Sequence, residues 1–141
     1  MKFEVMSRRR IEEYADEYAT ESSIVISIHA DNNEKADIRS TSKNRIKDIL
    51  FLRFADVDKA ENNGIQPEHA SQIREFIEFN MECRDFSKII IQCGAGQSRS
   101  AGVAAALMKF YNKDDTPIFN NPRYTPNMLC YRTVLEEMYN G

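Results

Sequence analysis

The run Ile89-Ile90-Ile91-Gln92-Cys93 narrows the choice of fold more than any other part of this chain. Three consecutive β-branched apolar residues leave no polar face, so a strand made from them must be covered on both sides. Strands of that kind belong to parallel sheets packed between helices. Directly after Cys93 come Gly94, Ala95, Gly96, Gln97, Ser98 and Arg99, and then a helical pattern rich in small residues: Ala101, Gly102, Ala104, Ala105 and Ala106. A thiol therefore stands where a buried strand gives way to a helix N-terminus, with its unpaired N–H groups and positive dipole end.

The rest of the chain repeats the alternation of strand and helix. Phe3–Met6 reads as a short strand, and Ser7 as the N-cap of a helix reaching about Tyr18, with Ile11, Tyr14 and Tyr18 on one face. Ile24–Ile28 and Ile49–Phe54 read as further strands, whereas residues 31–46 show no period. Asn62-Asn63-Gly64 signals a turn. Pro67 suits the first position of a helix carrying Ala70, Ile73, Phe76, Ile77 and Met81 at helical spacing. Ser87–Gln92 forms the fourth strand, a helix follows from about Ser98 to Asn112, and a last helix runs from Pro126, capped by Thr125, to near Tyr139. The expected fold is α/β, with a central, mostly parallel sheet flanked by helices and the Cys93 loop between strand and helix. With 141 residues and 42% apolar content, the chain is expected to form one domain over 1–141.

In such sheets ligands bind beyond the carboxyl ends of the strands, and Cys93 lies at one of those ends. The loop Gly94-Ala95-Gly96-Gln97-Ser98 has no acid and no bulky apolar side chain, so its N–H groups are free to converge on an anion. Arg99 adds a planar fork matched to two phosphate oxygens. A helix N-terminus and a nearby cation favour the thiolate, the nucleophilic form. Cys93 would attack phosphorus, giving a cysteinyl-phosphate that water then hydrolyses, and Ser100 would donate to the leaving thiolate. The leaving oxygen needs a proton, and Asp56 or Asp58, both following the third strand, would supply it.

These residues resemble the signature of the cysteine-dependent protein tyrosine phosphatases, H-C-x-x-G-x-x-R-[ST], most closely that of their small dual-specificity branch. Gln92-Cys93-Gly94-Ala95-Gly96-Gln97-Ser98-Arg99-Ser100 matches it except at the histidine. The resemblance implies the same fold, with Cys93 as nucleophile, Arg99 as phosphate ligand and Ser100 as the hydroxyl that aids breakdown of the intermediate. Phe54-Ala55-Asp56 fits the family's aromatic-x-aspartate, favouring Asp56 over Asp58 as general acid. Thr125-Pro126-Asn127 looks like the family's serine-proline-asparagine, which implies that Asn127 supports the loop. Gln92 replaces a histidine that helps hold the loop. An amide still donates a hydrogen bond but carries no charge, so the loop geometry is expected to survive and the thiolate to need higher pH than in typical relatives.

The implied activity is metal-independent hydrolysis of phosphotyrosine, with phosphoserine or phosphothreonine as further substrates, and a phosphorylated protein or peptide as the partner. The alternatives are a non-catalytic phosphopeptide-binding module, or a phosphatase for RNA 5′ ends or another non-protein ester. The loop has no lysine to meet extra phosphates, and the formal charge is −3. Both argue against highly phosphorylated substrates and nucleic acid. Arg8-Arg9-Arg10 reads as a solvated helix face. His29 and His69 lack a third partner at metal spacing, so neither a metal nor a cofactor is expected. Cys83 and Cys130 read as ordinary packing residues rather than resolving thiols. Without a signal-peptide pattern or a membrane-length apolar run, and with an unpaired cysteine, the expected location is a reducing cytoplasm.

Overall fold

The computed structural model describes every residue from Met1 to Gly141. Its elements are β1 (Lys2–Met6), α1 (Arg8–Ala15), β2 (Ser23–His29), β3 (Ile46–Arg53), α2 (Pro67–Cys83), β4 (Lys88–Gln92), α3 (Arg99–Asn112), α4 (Thr116–Phe119) and α5 (Met128–Asn140). The four strands form one sheet in the order β1-β4-β2-β3, and every pairing is parallel. The isoleucine strand β4 is interior, with Ile89 opposite both Phe3 and Ile24, and Ile91 opposite both Val5 and Ile26.

Alternation along the strands divides the core. Ile24, Ile26, Ile28, Ile89 and Ile91 face a large cluster shared with α2, α3 and α5. Val25 and Ile90 face a smaller one, covered by Ile11 and Tyr14 of α1 and by Ala36, Ile38 and Ile46. Continuous hydrophobicity in β4 thus reflects cover on both faces, with every residue of the strand buried.

Several element boundaries depart from the pattern read along the chain. Ser7 caps α1, its hydroxyl accepting from the Arg10 amide, but the helix stops at Ala15 and Tyr18 is 84% exposed. The Asp16 and Glu17 amides turn back to the Glu13 and Tyr14 carbonyls and end the helix before Tyr18 reaches the core. In α2 the buried stripe is Ala70, Ile73, Ile77 and Asn80. Met81 lies one residue, about 100°, off that stripe and is half exposed. Asn80 takes the core position because its amide donates to the Phe76 carbonyl and to Asp48.

Residues 31–46, which showed no period, are organised by the buried Asn44. Its carbonyl accepts from the Thr41 and Ile46 amides, and its amide donates to the Ala15 and Arg39 carbonyls. The short α4, too brief for a periodic signal, places Ile118 in the core. The cap of α5 is Asn127, whose side chain accepts from the Cys130 amide, and not Thr125. Pro126 accordingly precedes the helix.

Candidate active site

The carboxyl ends of all four strands converge on the 93–99 loop. Cys93 follows β4 and is buried, and Arg99 opens α3. The loop carbonyls are tied outward from two sides. The Arg8 amide, just after β1, donates to the Gly94 carbonyl at 2.9 Å. The Thr125 and Asn127 amides donate to the Gln97 and Ser98 carbonyls at 2.9 and 3.0 Å. With the Gly94, Gln97 and Ser98 carbonyls occupied and none of the 94–98 amides donating within the fold, the loop N–H groups are left available to an anion.

Two glycines permit this packing. Gly96 has φ +69°, and a Cβ there would lie 2.6 Å from the Ser7 nitrogen. Gly102, on α3, would meet the Asn127 carbonyl oxygen at 2.3 Å if it carried a Cβ. Glycine at these positions lets the β1–α1 turn and the 125–127 segment close on the loop.

Ser100 Oγ stands 3.0 Å from Cys93 Sγ, close enough to donate to a thiolate. Gln92, fully buried, donates from Nε2 to the Cys93 carbonyl at 2.9 Å and accepts from Ser27 Oγ on the neighbouring strand. An uncharged side chain here ties the Cys93 backbone to β2.

Arg99 is 6% exposed and gripped along one edge. Nη1 and Nη2 donate to the two Glu34 carboxylate oxygens at 2.9 and 2.7 Å, and Nη1 also donates to the Phe54 carbonyl at 3.1 Å. Nε is buried and has no partner. A guanidinium held end-on by a carboxylate still presents its Nε–Nη2 edge, a bidentate fork. Burial opposes the Arg99 charge, but Glu34, Cys93 and Asp56 outweigh it and push the pKa up. The Arg99 hydrogen bonds in turn hold the Glu34 carboxyl below its ordinary value against partial burial, with help from the Ala30 amide.

Asp56 reaches the loop from the end of β3. Its Oδ1 accepts from Ser98 Oγ and from Asn127 Nδ2, both at 2.8 Å. Asn127 Nδ2 also donates to the Val57 carbonyl at 2.9 Å. The Asn127 side chain therefore holds the acid segment, while its backbone amide holds the loop. Asp58 makes no such bond; it lines a cavity of about 630 Å³ with Asp56, Ser98, Thr125 and Arg132. Ala95 and Gln97 are exposed on the loop.

Glu34, the Phe54 carbonyl, the Arg8 amide and Ser27 were not legible as site residues. Three of these contacts involve backbone or buried strand positions, and Glu34 lies in the aperiodic 31–46 stretch. His69 is set apart from the loop contacts, its Nδ1 accepting from the Gln66 amide at the start of α2. His29 ends β2, buried, with Nδ1 unpartnered.

No protein-family model matches the chain, and no curated protein matches it by sequence. Solved structures do. Human DUSP28 superposes with a TM-score of 0.59 at 14% identity, over 97% of this chain and 91% of that one. Tk-PTP in its active form superposes with a TM-score of 0.55 at 16% identity, over 99% and 91%. The fold is that of the dual-specificity phosphatases. A human tyrosine phosphatase-like serine/threonine/tyrosine-interacting protein shares it too, with a TM-score of 0.56 at 17% identity over 82% and 75%. Within this dual-specificity phosphatase fold, the loop, the Asp56 segment and the Thr125–Asn127 segment meet at one end of the sheet.

Proposed function

We propose that the protein hydrolyses phosphate monoesters, phosphotyrosine in proteins foremost, through a cysteinyl-phosphate on Cys93. The observation that carries this reading is the buried, unpartnered Nε of Arg99, beside a guanidinium edge left free by Glu34. A buried donor without a partner is costly unless a ligand completes it. Two oxygens of a phosphate dianion would take the Nε–Nη2 edge, and the loop amides would take the rest.

In the first step the Cys93 thiolate attacks phosphorus and the bond from phosphorus to the leaving oxygen breaks. Asp56 supplies the proton to that oxygen. Because Ser98 and Asn127 both donate to Oδ1, the proton resides on Oδ2, the oxygen with no partner in the fold. In the second step water attacks phosphorus, the carboxylate of Asp56 takes the water proton, and the S–P bond breaks. The returning thiolate accepts from Ser100. Glu34 keeps Arg99 aimed at the phosphate and is a positioning residue.

The test is hydrolysis of p-nitrophenyl phosphate and of a phosphotyrosyl peptide. The wild type should turn over both, and Cys93→Ser should fall to background while still binding the peptide. An inert wild type that binds phosphopeptides would instead make the fold a recognition module.

A further inference from the structure

The catalytic loop does not stand alone at its end of the molecule. The 630 Å³ cavity beside Ser98 and Asp56 adjoins a second, of about 540 Å³, and Glu61 lines both. Together they follow one face of α5, floored by Met128 and Arg132 near the loop and by Thr133, Glu136 and Asn140 further out. The opposite wall is the segment from Asp58 to Pro67. From Met128 to Asn140 the helix rises about 18 Å, the length of roughly five residues of extended chain.

The net charge of this groove is negative, although the wall segment also carries the exposed Lys59. Asp58, Glu61 and Glu136 are exposed, Arg132 is the one cation among the lining residues, and none of the four is in a salt bridge. Glu137, also in the wall, is already paired with Arg74 at 2.7 Å. Outside the groove lining, Lys35 stands over the Phe51 ring and Arg53 Nε donates to the Ala30 carbonyl. A polyanion such as RNA would be repelled along the groove. A polypeptide bearing lysine or arginine would be drawn in.

Resting on the phosphatase reading above, we propose that this groove binds the chain flanking the phosphorylated residue, on one side only, and selects basic side chains there. Selection by exposed carboxylates is modest per pair and weakens with salt. Phosphotyrosyl peptides with two basic residues within four positions on the favoured side should be turned over with kcat/KM about three- to tenfold above neutral ones, and acidic counterparts should fall below neutral. Glu61→Gln/Glu136→Gln should bring the basic-to-neutral ratio close to unity, and added salt should shrink it in the wild type.

Binding of the same peptides to the Cys93→Ser protein, read by fluorescence anisotropy, separates the two proposals. A wild type inert toward p-nitrophenyl phosphate whose Cys93→Ser form still prefers basic flanks removes the enzyme reading and keeps the groove. An active wild type with equal kcat/KM for all flanks, or a preference that the double substitution leaves intact, removes the groove.

Discussion

Around Arg99, one carboxylate and one carbonyl leave a single edge of the guanidinium unused. Glu34→Gln removes the charge that opposes Arg99 and weakens the grip. It should raise KM for a small phosphate ester more than it lowers kcat, and lower stability by about 1–3 kcal/mol, between an exposed and a buried pair. The pH dependence follows from the same contact. Glu34 is depressed below 4.5 in the fold, so its contribution is complete above that value and disappears as pH falls through the lower folded value. Glu34→Gln should flatten the acid limb of a urea-midpoint profile. For the acid, Asp56→Asn should lower turnover of phosphotyrosine about 10²–10³-fold, with a smaller loss on p-nitrophenyl phosphate, whose leaving group needs less protonation. Asp58→Asn should have little effect, since no bond ties it to the loop; equal losses, or the reverse order, would reject the assignment. Cys93, Arg99 and Ser100 stood out in the chain because their chemistry is coded by adjacent positions. Glu34 did not, because it meets Arg99 across 65 residues from a segment without periodicity.

At the level of elements, the strands and the long helices were readable from period and composition, and their ends were not. The end of α1 and the cap of α5 depend on which amide finds which acceptor, and several residues near each junction are chemically able to serve. Thr125 and Asn127 illustrate this: both are good caps, and Asn127 takes the role because its side-chain oxygen is the one that reaches the Cys130 amide. The 125–127 segment, α3 and the acid segment therefore behave as one assembly. Gly102→Ala should force this assembly apart, since the added carbon would lie 2.3 Å from a backbone oxygen. We expect a loss of about 1–3 kcal/mol in denaturant stability, and a fall in turnover larger than any change in binding of phosphate. Asn127→Ser, which keeps an oxygen able to cap α5 but loses the donor to Asp56 and to the Val57 carbonyl, should reduce turnover with a smaller loss of stability, so the two variants distinguish alignment of Asp56 from fit of the helices.

Across the whole molecule, two histidines oppose acid. Burial lowers His29, assisted by Lys35 and Arg53, and burial also lowers His69. Below 6.5 the unfolded chain takes up protons that the folded histidines resist, so stability should fall as pH drops from about 7 to 5. Urea midpoints across that range check the slope, and His29→Gln should remove part of it. The all-parallel sheet followed from the isoleucine run, because a strand without a polar face admits few other architectures; strand order was not written in any local pattern. That order has a consequence for how the protein is made. The strand formed by residues 2–6 pairs with residues 88–92 and with nothing else in the sheet, and the Arg8 amide reaches the Gly94 carbonyl. During synthesis the first strand must wait, unpaired, until some ninety residues later its partner leaves the ribosome. Closing so long a loop is slow. The Cys93 loop is thus shaped late in synthesis, since of the three strand pairings only that of β2 with β3 can form before residues 88–92 emerge.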